Sequence, residues 1–259
     1  MTTISIIGTA GRNKRNPLLI SHFEYMCNKV KSFISQHELL SKSKEITLVS
    51  GGAAWADQIA VELYLEDPIK YNLILYLPCP IVEKENKYVY YDSNSSDWRL
   101  NPGRSSNNYH ISFTKQIGKD SIGDIMKAKE LGAVIDTSSN GFHSRNTKVA
   151  KSDYILAFTF GKGEIPEKSG TLDTWNKSKS TNKYHFTLPA TFLTKPIASS
   201  ETITTTATLP SVEKILSKRS FDSFLLSSPT TEHNNNECDL TKKKLKSDTL
   251  ITDFFQKIK

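Results

Sequence analysis

Ile46-Thr47-Leu48-Val49-Ser50-Gly51-Gly52-Ala53-Ala54-Trp55-Ala56-Asp57 carries the chain from an apolar run, through two glycines, into a helical pattern. Ile46 to Val49 is short and rich in β-branched residues, which reads as a strand covered on both faces. Ser50-Gly51-Gly52 closes it. A helix follows, with Asp57 at its start and Ile59, Ala60 and Leu63 along it. A buried strand that ends in small residues and opens a helix is the repeating unit of a parallel α/β sheet.

The same unit recurs on either side. Ile4-Ser5-Ile6-Ile7 precedes Gly8-Thr9-Ala10-Gly11-Arg12, and Leu19, Phe23, Met26, Val30 and Phe33 then mark one face of a helix. Leu73 to Leu77, Tyr154 to Phe158 and Tyr184 to Leu188 supply three more strands. The expected fold is therefore a Rossmann-like α/β domain over residues 1–192, a mostly parallel sheet with helices on both faces. Ile117, Ile122, Ile125 and Met126 predict a further helix, bent at Gly118 or Gly123. Residues 82–112 are polar, aromatic and rich in Asn and Ser, an irregular insert that is either a functional loop or a mobile one.

From Pro196 the composition changes to dense Ser and Thr, which cannot bury enough apolar surface to offset ordering entropy. Residues 193–246 are expected to form a disordered linker with a basic end, and 247–259 a terminal peptide. No apolar run approaches the roughly 20 residues of a membrane helix, so no membrane association is expected. Met1-Thr2-Thr3 runs directly into a strand, without the pattern of a secretory signal. Cys27, Cys79 and Cys238 are scattered, which fits a reducing compartment and gives no metal site. The net charge is +7, and residues 190–259 hold 10 Lys and Arg against 8 Asp and Glu. Most of the excess thus sits in the domain, and it favours an anionic partner through a local patch.

Three glycine-containing turns are each expected at the C-terminal end of a strand: Gly8-Thr9-Ala10-Gly11-Arg12, Ser50-Gly51-Gly52 and Ser169-Gly170-Thr171. In an open α/β sheet that edge binds ligands. Small residues admit a phosphate to the backbone, and free N–H groups at a helix start favour an anion. A bound nucleotide is the expected ligand, with no other cofactor. Arg145-Asn146 lies before the fourth strand, and with a helix over 147–151 Arg145 would stand at its N-terminal edge. There it is either a phosphate-pairing guanidinium or an ordinary surface arginine. Lys148 would add positive charge.

The block Val49-Ser50-Gly51-Gly52-Ala53-Ala54-Trp55-Ala56-Asp57, the Arg145-Asn146 pair and Ser169-Gly170-Thr171-Leu172-Asp173-Thr174 resemble the DprA/Smf-like members of the SLOG superfamily. The resemblance covers residues 1 to about 190 and implies a Rossmann-like fold that binds nucleotides or single-stranded DNA, in domains that often pair as homodimers. The cousin phosphoribohydrolases have a Pro-Gly-Gly-x-Gly-Thr-x-x-Glu motif whose glutamate serves N-glycosidic cleavage. Here Thr174 stands in that glutamate's place and Glu167-Lys168 replaces the preceding glycines. Asp57 and Asp173 are the carboxylates left for such chemistry, and Asp57 also reads as a helix-start or ligand-orienting residue.

In the insert, Trp98, Arg99, Arg104 and Tyr109 mix planar and cationic groups, which either stack on bases or fold back onto the domain. Trp55 and Trp175 beside the glycine turns either contact a base or pack.

The chain ends in Asp248-Thr249-Leu250-Ile251-Thr252-Asp253-Phe254-Phe255. Ile251, Phe254 and Phe255 match the Gln-x-x-aliphatic-x-x-aromatic-aromatic pattern of the clamp-binding PIP box, with Asp248 in place of Gln. One helical turn would bring Ile251 beside the aromatic pair, and Thr252-Asp253 would stabilise it. Lys242-Lys243-Lys244-Leu245-Lys246 resembles a nuclear-import signal, or is a solvated run that speeds encounter with an acidic clamp. The expected partners are a sliding clamp and a nucleotide or single-stranded DNA. The expected place is the nucleus, or nucleus and cytoplasm. The expected role is non-catalytic binding at sites of DNA replication or repair, with nucleotide hydrolysis or nucleotide sensing as alternatives.

Overall fold

The computed structural model describes residues 1–13, 16–42 and 45–190. β1 (Thr2–Gly8) is followed by α1 (Ile20–Gln36), the single turn α2 (Glu38–Ser41), β2 (Ile46–Ser50) and α3 (Gln58–Glu66). β3 (Tyr71–Tyr76) leads to β4 (Ile81–Lys84), β5 (Lys87–Tyr90), α4 (Pro102–Ile117) and α5 (Ser121–Glu130). Then come β6 (Val134–Asp136), α6 (Gly141–Val149), β7 (Tyr154–Thr159), α7 (Gly170–Lys177) and β8 (Asn182–Thr187).

Six strands form one sheet in the order β6-β3-β2-β1-β7-β8, and every neighbouring pair in it is parallel. The fold is α/β, as the alternation of apolar strands with helices predicts. The chain starts at β1, builds outward through β2, β3 and β6, then returns to add β7 and β8 on the other side. Strand order therefore reverses between β1 and β7, and a crevice opens there at the carboxyl ends.

Alternation along each strand divides the core. Ile4, Ile6, Leu48 and Leu73 join Phe23, Met26, Ile59 and Leu63 in the larger cluster, on the side of α1, α3, α4 and α5. Ile7, Val49, Ile155 and Ala157 face Val149 and Trp175, on the side of α6 and α7. Each of the large aliphatic and Phe side chains among these contributes about 2 kcal/mol when taken out of water. Trp55 and Trp175 belong to these cores, at 1% and 7% exposure. Packing accounts for both.

The region 82–112 is an ordered annex, not an irregular loop. β4 and β5 pair antiparallel, turning at Glu85 and Asn86 with φ of 53° and 60°, the left-handed geometry of a two-residue hairpin. Asn101 caps α4 by accepting from the Arg104 N–H at 3.2 Å, and Pro102 stands in the first turn, where its missing N–H costs nothing. Asn107 clamps the hairpin to α4: the Tyr90 N–H donates to its Oδ1 at 2.8 Å and its Nδ2 donates to Tyr90 O at 2.9 Å.

The helix expected around Ile117 to Met126 is broken, not bent. Gly118 ends α4 in the left-handed region at φ 78°, and Asp120 starts α5 by accepting from the Gly123 N–H at 3.1 Å. The helix expected at 147–151 begins earlier, at Gly141, so Arg145 lies mid-helix.

Candidate functional site

The crevice between β1 and β7 holds a pocket of about 250 Å³. Gly8, Thr9 and Arg12 from the first turn form part of its wall, with Gly51 and Asp57 from the second and Ser169, Gly170 and Thr171 from the third. The three turns quoted from the sequence converge on one space.

Why these positions are glycine differs from turn to turn. A Cβ on Gly8 would stand 2.4 Å from Phe158 O and 2.6 Å from Ala56 Cβ, because β1 and the start of α3 close on each other there. One on Gly51 would stand 2.4 Å from Arg145 Nη1. Gly11 and Gly52 have φ of 77° and 65°, and a Cβ on Gly52 would also meet Leu77 at 2.2 Å. Folding alone demands Gly8, Gly11 and Gly52, whereas at Gly51 the obstacle is the end of the Arg145 side chain. At Gly170 the nearest atom to a Cβ would be Asn146 Nδ2 at 3.9 Å, and its φ lies outside the left-handed range. Neither conformation nor crowding in the protein requires glycine there.

Arg145 and Asp57 bind the first two turns to α6. Arg145 Nη1 donates to Gly51 O at 2.6 Å and lies 3.7 Å from Asp57 Oδ2. Nε and Nη2 both donate to Asn146 Oδ1, at 3.2 and 3.0 Å. The fork expected to grip a phosphate thus grips the neighbouring amide. Burial pushes the Asp57 carboxyl above its ordinary value, against Arg145 and the N–H groups of Ala53, Gly51 and Gly8. Burial likewise lowers Arg145, against the charge of Asp57. The pair is a buried staple with little net charge to offer a ligand.

Asn146 continues the chain of contacts. Its Nδ2 donates to Asp173 Oδ2 at 2.9 Å and to Gly170 O at 3.4 Å, which ties α6 to the start of α7. Asp173 also accepts from Lys177 Nζ at 2.9 Å and His143 Nδ1 at 3.3 Å. Burial opposes its charge, but Lys177, Asn146 and His143 prevail and hold the carboxyl below its ordinary value. Asp173 is absent from the pocket wall.

Other sequence candidates also stand behind the wall. Ser50 Oγ donates to Asp57 O at 2.8 Å and accepts from the Gly52 N–H at 3.2 Å. Gly52 O accepts from Tyr90 Oη at 2.6 Å and from His110 Nε2 at 3.1 Å, so the annex positions the second turn from behind. Lys148 does not reach the pocket. Its Nζ donates to Asp136 Oδ2 at 2.8 Å and Ser138 Oγ at 2.6 Å, and with Ser138 it holds the Asp136 carboxyl down to about 2.

At the third turn Ser169 caps α7, its Oγ accepting from the Thr171 N–H at 3.2 Å. Lys168 and Arg12 border the pocket, and among the described residues neither forms an ion pair. They are the cations the site leaves available to an anion.

A protein of Acanthamoeba polyphaga mimivirus, itself described only as uncharacterized, is 39% identical over 193 residues, 71% of this chain and 95% of the viral protein. The chain belongs to that viral protein's family. No family model matches it, and no solved structure matches it. The match to the mimivirus relative spans nearly all of that protein, so the shared unit is of domain size.

Of the insert residues singled out in the sequence, Tyr109 stands on the wall; sequence reasoning missed Phe142 and Thr159 there. Phe142 precedes Arg145 by one helical turn and so shares its face, a signal legible once the helix start is placed at Gly141. Thr159 ends β7 on the same edge as the glycine turns. Ile251 to Phe255, expected to bind a clamp, and Lys242 to Lys246, expected to direct nuclear import, lie outside the described residues. Among the described residues there is no group of His, Cys, Asp and Glu that could hold a metal, and no helix long and apolar enough to cross a membrane.

Proposed function

We infer that this protein binds a nucleotide, with the phosphate at the N-terminus of α7. The observation that carries it is Gly170. It opens α7 on the pocket wall with nothing in the protein requiring a glycine, so the space where a side chain would stand is free for a ligand's phosphate. The partial positive charge of a helix N-terminus and its backbone N–H groups favour an anion there. Arg12 and Lys168 at the rim add charge of the same sign.

The two aspartates that the sequence offers for hydrolysis argue for binding instead. Asp57 is occupied by Arg145 and by the Ala53 N–H at 3.3 Å. Asp173 is committed to three donors away from the wall. Neither is free to move a proton on a bound ligand.

The terminal peptide extends this proposal. Ile251, Phe254 and Phe255, with Thr252 and Asp253, would dock a sliding clamp, and Lys242 to Lys246 would direct nuclear import. The domain would then serve DNA replication or repair where the clamp is loaded.

Calorimetric titration of the full chain with nucleoside 5′-monophosphates, unphosphorylated nucleosides and inorganic phosphate tests the central claim. Binding of the monophosphates, with the nucleosides at least tenfold weaker, is expected. Equal binding of nucleoside and monophosphate would remove the phosphate from α7, and no binding of either would remove the nucleotide.

A further inference from the structure

Three aromatic rings around the pocket each carry an arginine on one face. Arg12 lies 5.2 Å from the centre of the Tyr109 ring, Arg145 5.5 Å from Phe142, and Arg99 5.0 Å from Trp98. Tyr109 and Phe142 are on the pocket wall, whereas Trp98 is not. Trp98 is the next ring outward: it lies 6.2 Å from Phe142 at an interplanar angle of 37°, and 6.2 Å from His143. It is 43% exposed, whereas Trp55 and Trp175 are buried.

Leaving a large ring in water forfeits the stabilisation its burial would give. The annex holds it there firmly. The Arg99 N–H donates to Asp97 Oδ1 at 2.9 Å, and the Asn101 N–H donates to Asp97 O at 2.9 Å. Asn101 is itself buried, donating to Ser95 O at 2.9 Å and to Asp92 Oδ1 at 2.5 Å. Trp98 is thus displayed by a hydrogen-bonded loop and backed by a guanidinium. Exposed planar rings suit stacked bases, since every base has a π-face; of the three arginines, Arg145 is stapled to Asp57 and Arg99 lies 3.7 Å from Asp97 Oδ1, which leaves Arg12 for a phosphate.

We propose that Trp98 is a second base subsite, continuous through Phe142 with the pocket, and that the ligand carries two bases joined through phosphate. This rests on the nucleotide-binding reading of the pocket and extends it outward. The shared chemistry fits either a 3′,5′-linked single strand or two nucleosides joined 5′ to 5′ through phosphates.

The test titrates the full chain with adenosine 5′-monophosphate, with the 5′-phosphorylated 3′,5′-linked adenosine dinucleotide, and with diadenosine 5′,5′-diphosphate. Each is run against wild type, Trp98→Leu and Trp98→Phe. In wild type at least one two-base ligand should bind about tenfold tighter than the monophosphate, the scale of one base stacked on an aromatic side chain. Trp98→Leu should erase that gain while leaving monophosphate affinity unchanged, and Trp98→Phe should keep most of it. Whichever linkage shows the gain identifies the source. Because the other two tryptophans are buried, quenching of tryptophan emission by the two-base ligand should also disappear in Trp98→Leu. A monophosphate that binds with no gain from a second base, or a gain that survives Trp98→Leu, would overturn the subsite and leave the pocket standing. Failure of every ligand to bind wild type would overturn both.

Discussion

Replacing Gly170 with alanine adds one methyl group where the protein has open space. The nearest protein atom to the new Cβ is Asn146 Nδ2 at 3.9 Å, an ordinary contact. Alanine also stiffens the unfolded chain and suits a helix better than glycine, so stability should hold or rise by about 0.5 kcal/mol. A ligand phosphate meets a different situation. Its oxygens must come to about 2.9 Å from backbone nitrogens, and a methyl carbon in the cradle keeps them out. A hydrogen bond to a charged group contributes about 1.5–3 kcal/mol, so losing one lowers affinity roughly tenfold to a hundredfold. Urea denaturation and nucleoside monophosphate titration of the same preparation would show unchanged or raised stability beside that loss. Gly8→Ala provides the contrast. Its Cβ would stand 2.4 Å from a backbone oxygen, and such overpacking costs about 1–3 kcal/mol of stability. Gly170→Ala binding nucleotide as wild type does would refute the claim that the phosphate sits at α7.

Arg145→Met leaves the Asp57 carboxyl buried without its countercharge, and about 3–5 kcal/mol of stability should be lost. Adding Asp57→Asn should recover part of it, and simple additivity in urea denaturation would show that the two side chains do not act as a pair. Burial pushes the His110 imidazole down to about 4, whereas in the unfolded chain it takes a proton near pH 6.5. Folding is therefore fully supported above pH 6.5 and loses about 1.4 kcal/mol per pH unit below it, roughly 3 kcal/mol by pH 4. His110→Gln should flatten the slope of stability against pH in that window, and an unchanged slope would assign the acid sensitivity elsewhere. Full-length chain should bind a sliding clamp in calorimetry, and Phe254→Ala with Phe255→Ala should abolish that binding. Retention of affinity in the double variant would place the clamp contact outside the terminal peptide.

Much of the fold was legible because buried parallel strands are continuous apolar runs, as in β1, β2, β3 and β7, while the half-buried edge strand β8 showed a weaker pattern. β6 did not stand out, since it has three residues and Val134 is exposed at the sheet edge. The annex was hidden for a different reason. α4 spends its inward positions on Ser106 and His110 as well as Phe113, so its apolar period is faint. The hairpin turn uses Glu85 and Asn86 instead of a glycine. At the site, the convergence of the first two turns was readable from strand ends; the third, expected at a strand end, instead opens α7, well after β7 ends at Thr159. The role of Arg145 was not, because a guanidinium that binds its own neighbour's amide looks in sequence like one awaiting a phosphate.

That role bears on how the pocket binds. Gly51, Arg145, Asn146 and the start of α7 are linked by side-chain contacts of 2.6 to 3.4 Å. The second turn is braced from behind by Tyr90 and His110, both bonded to Gly52 O. A wall held on two sides before any ligand arrives has little ordering entropy left to lose on binding. The remaining recognition then falls to groups that are not committed: the N-terminus of α7, Arg12, Lys168 and the rings of Tyr109 and Phe142. Selectivity should consequently reside in the ligand's phosphate and bases, and a variant that loosens the staple should weaken every nucleotide alike instead of changing which one is preferred.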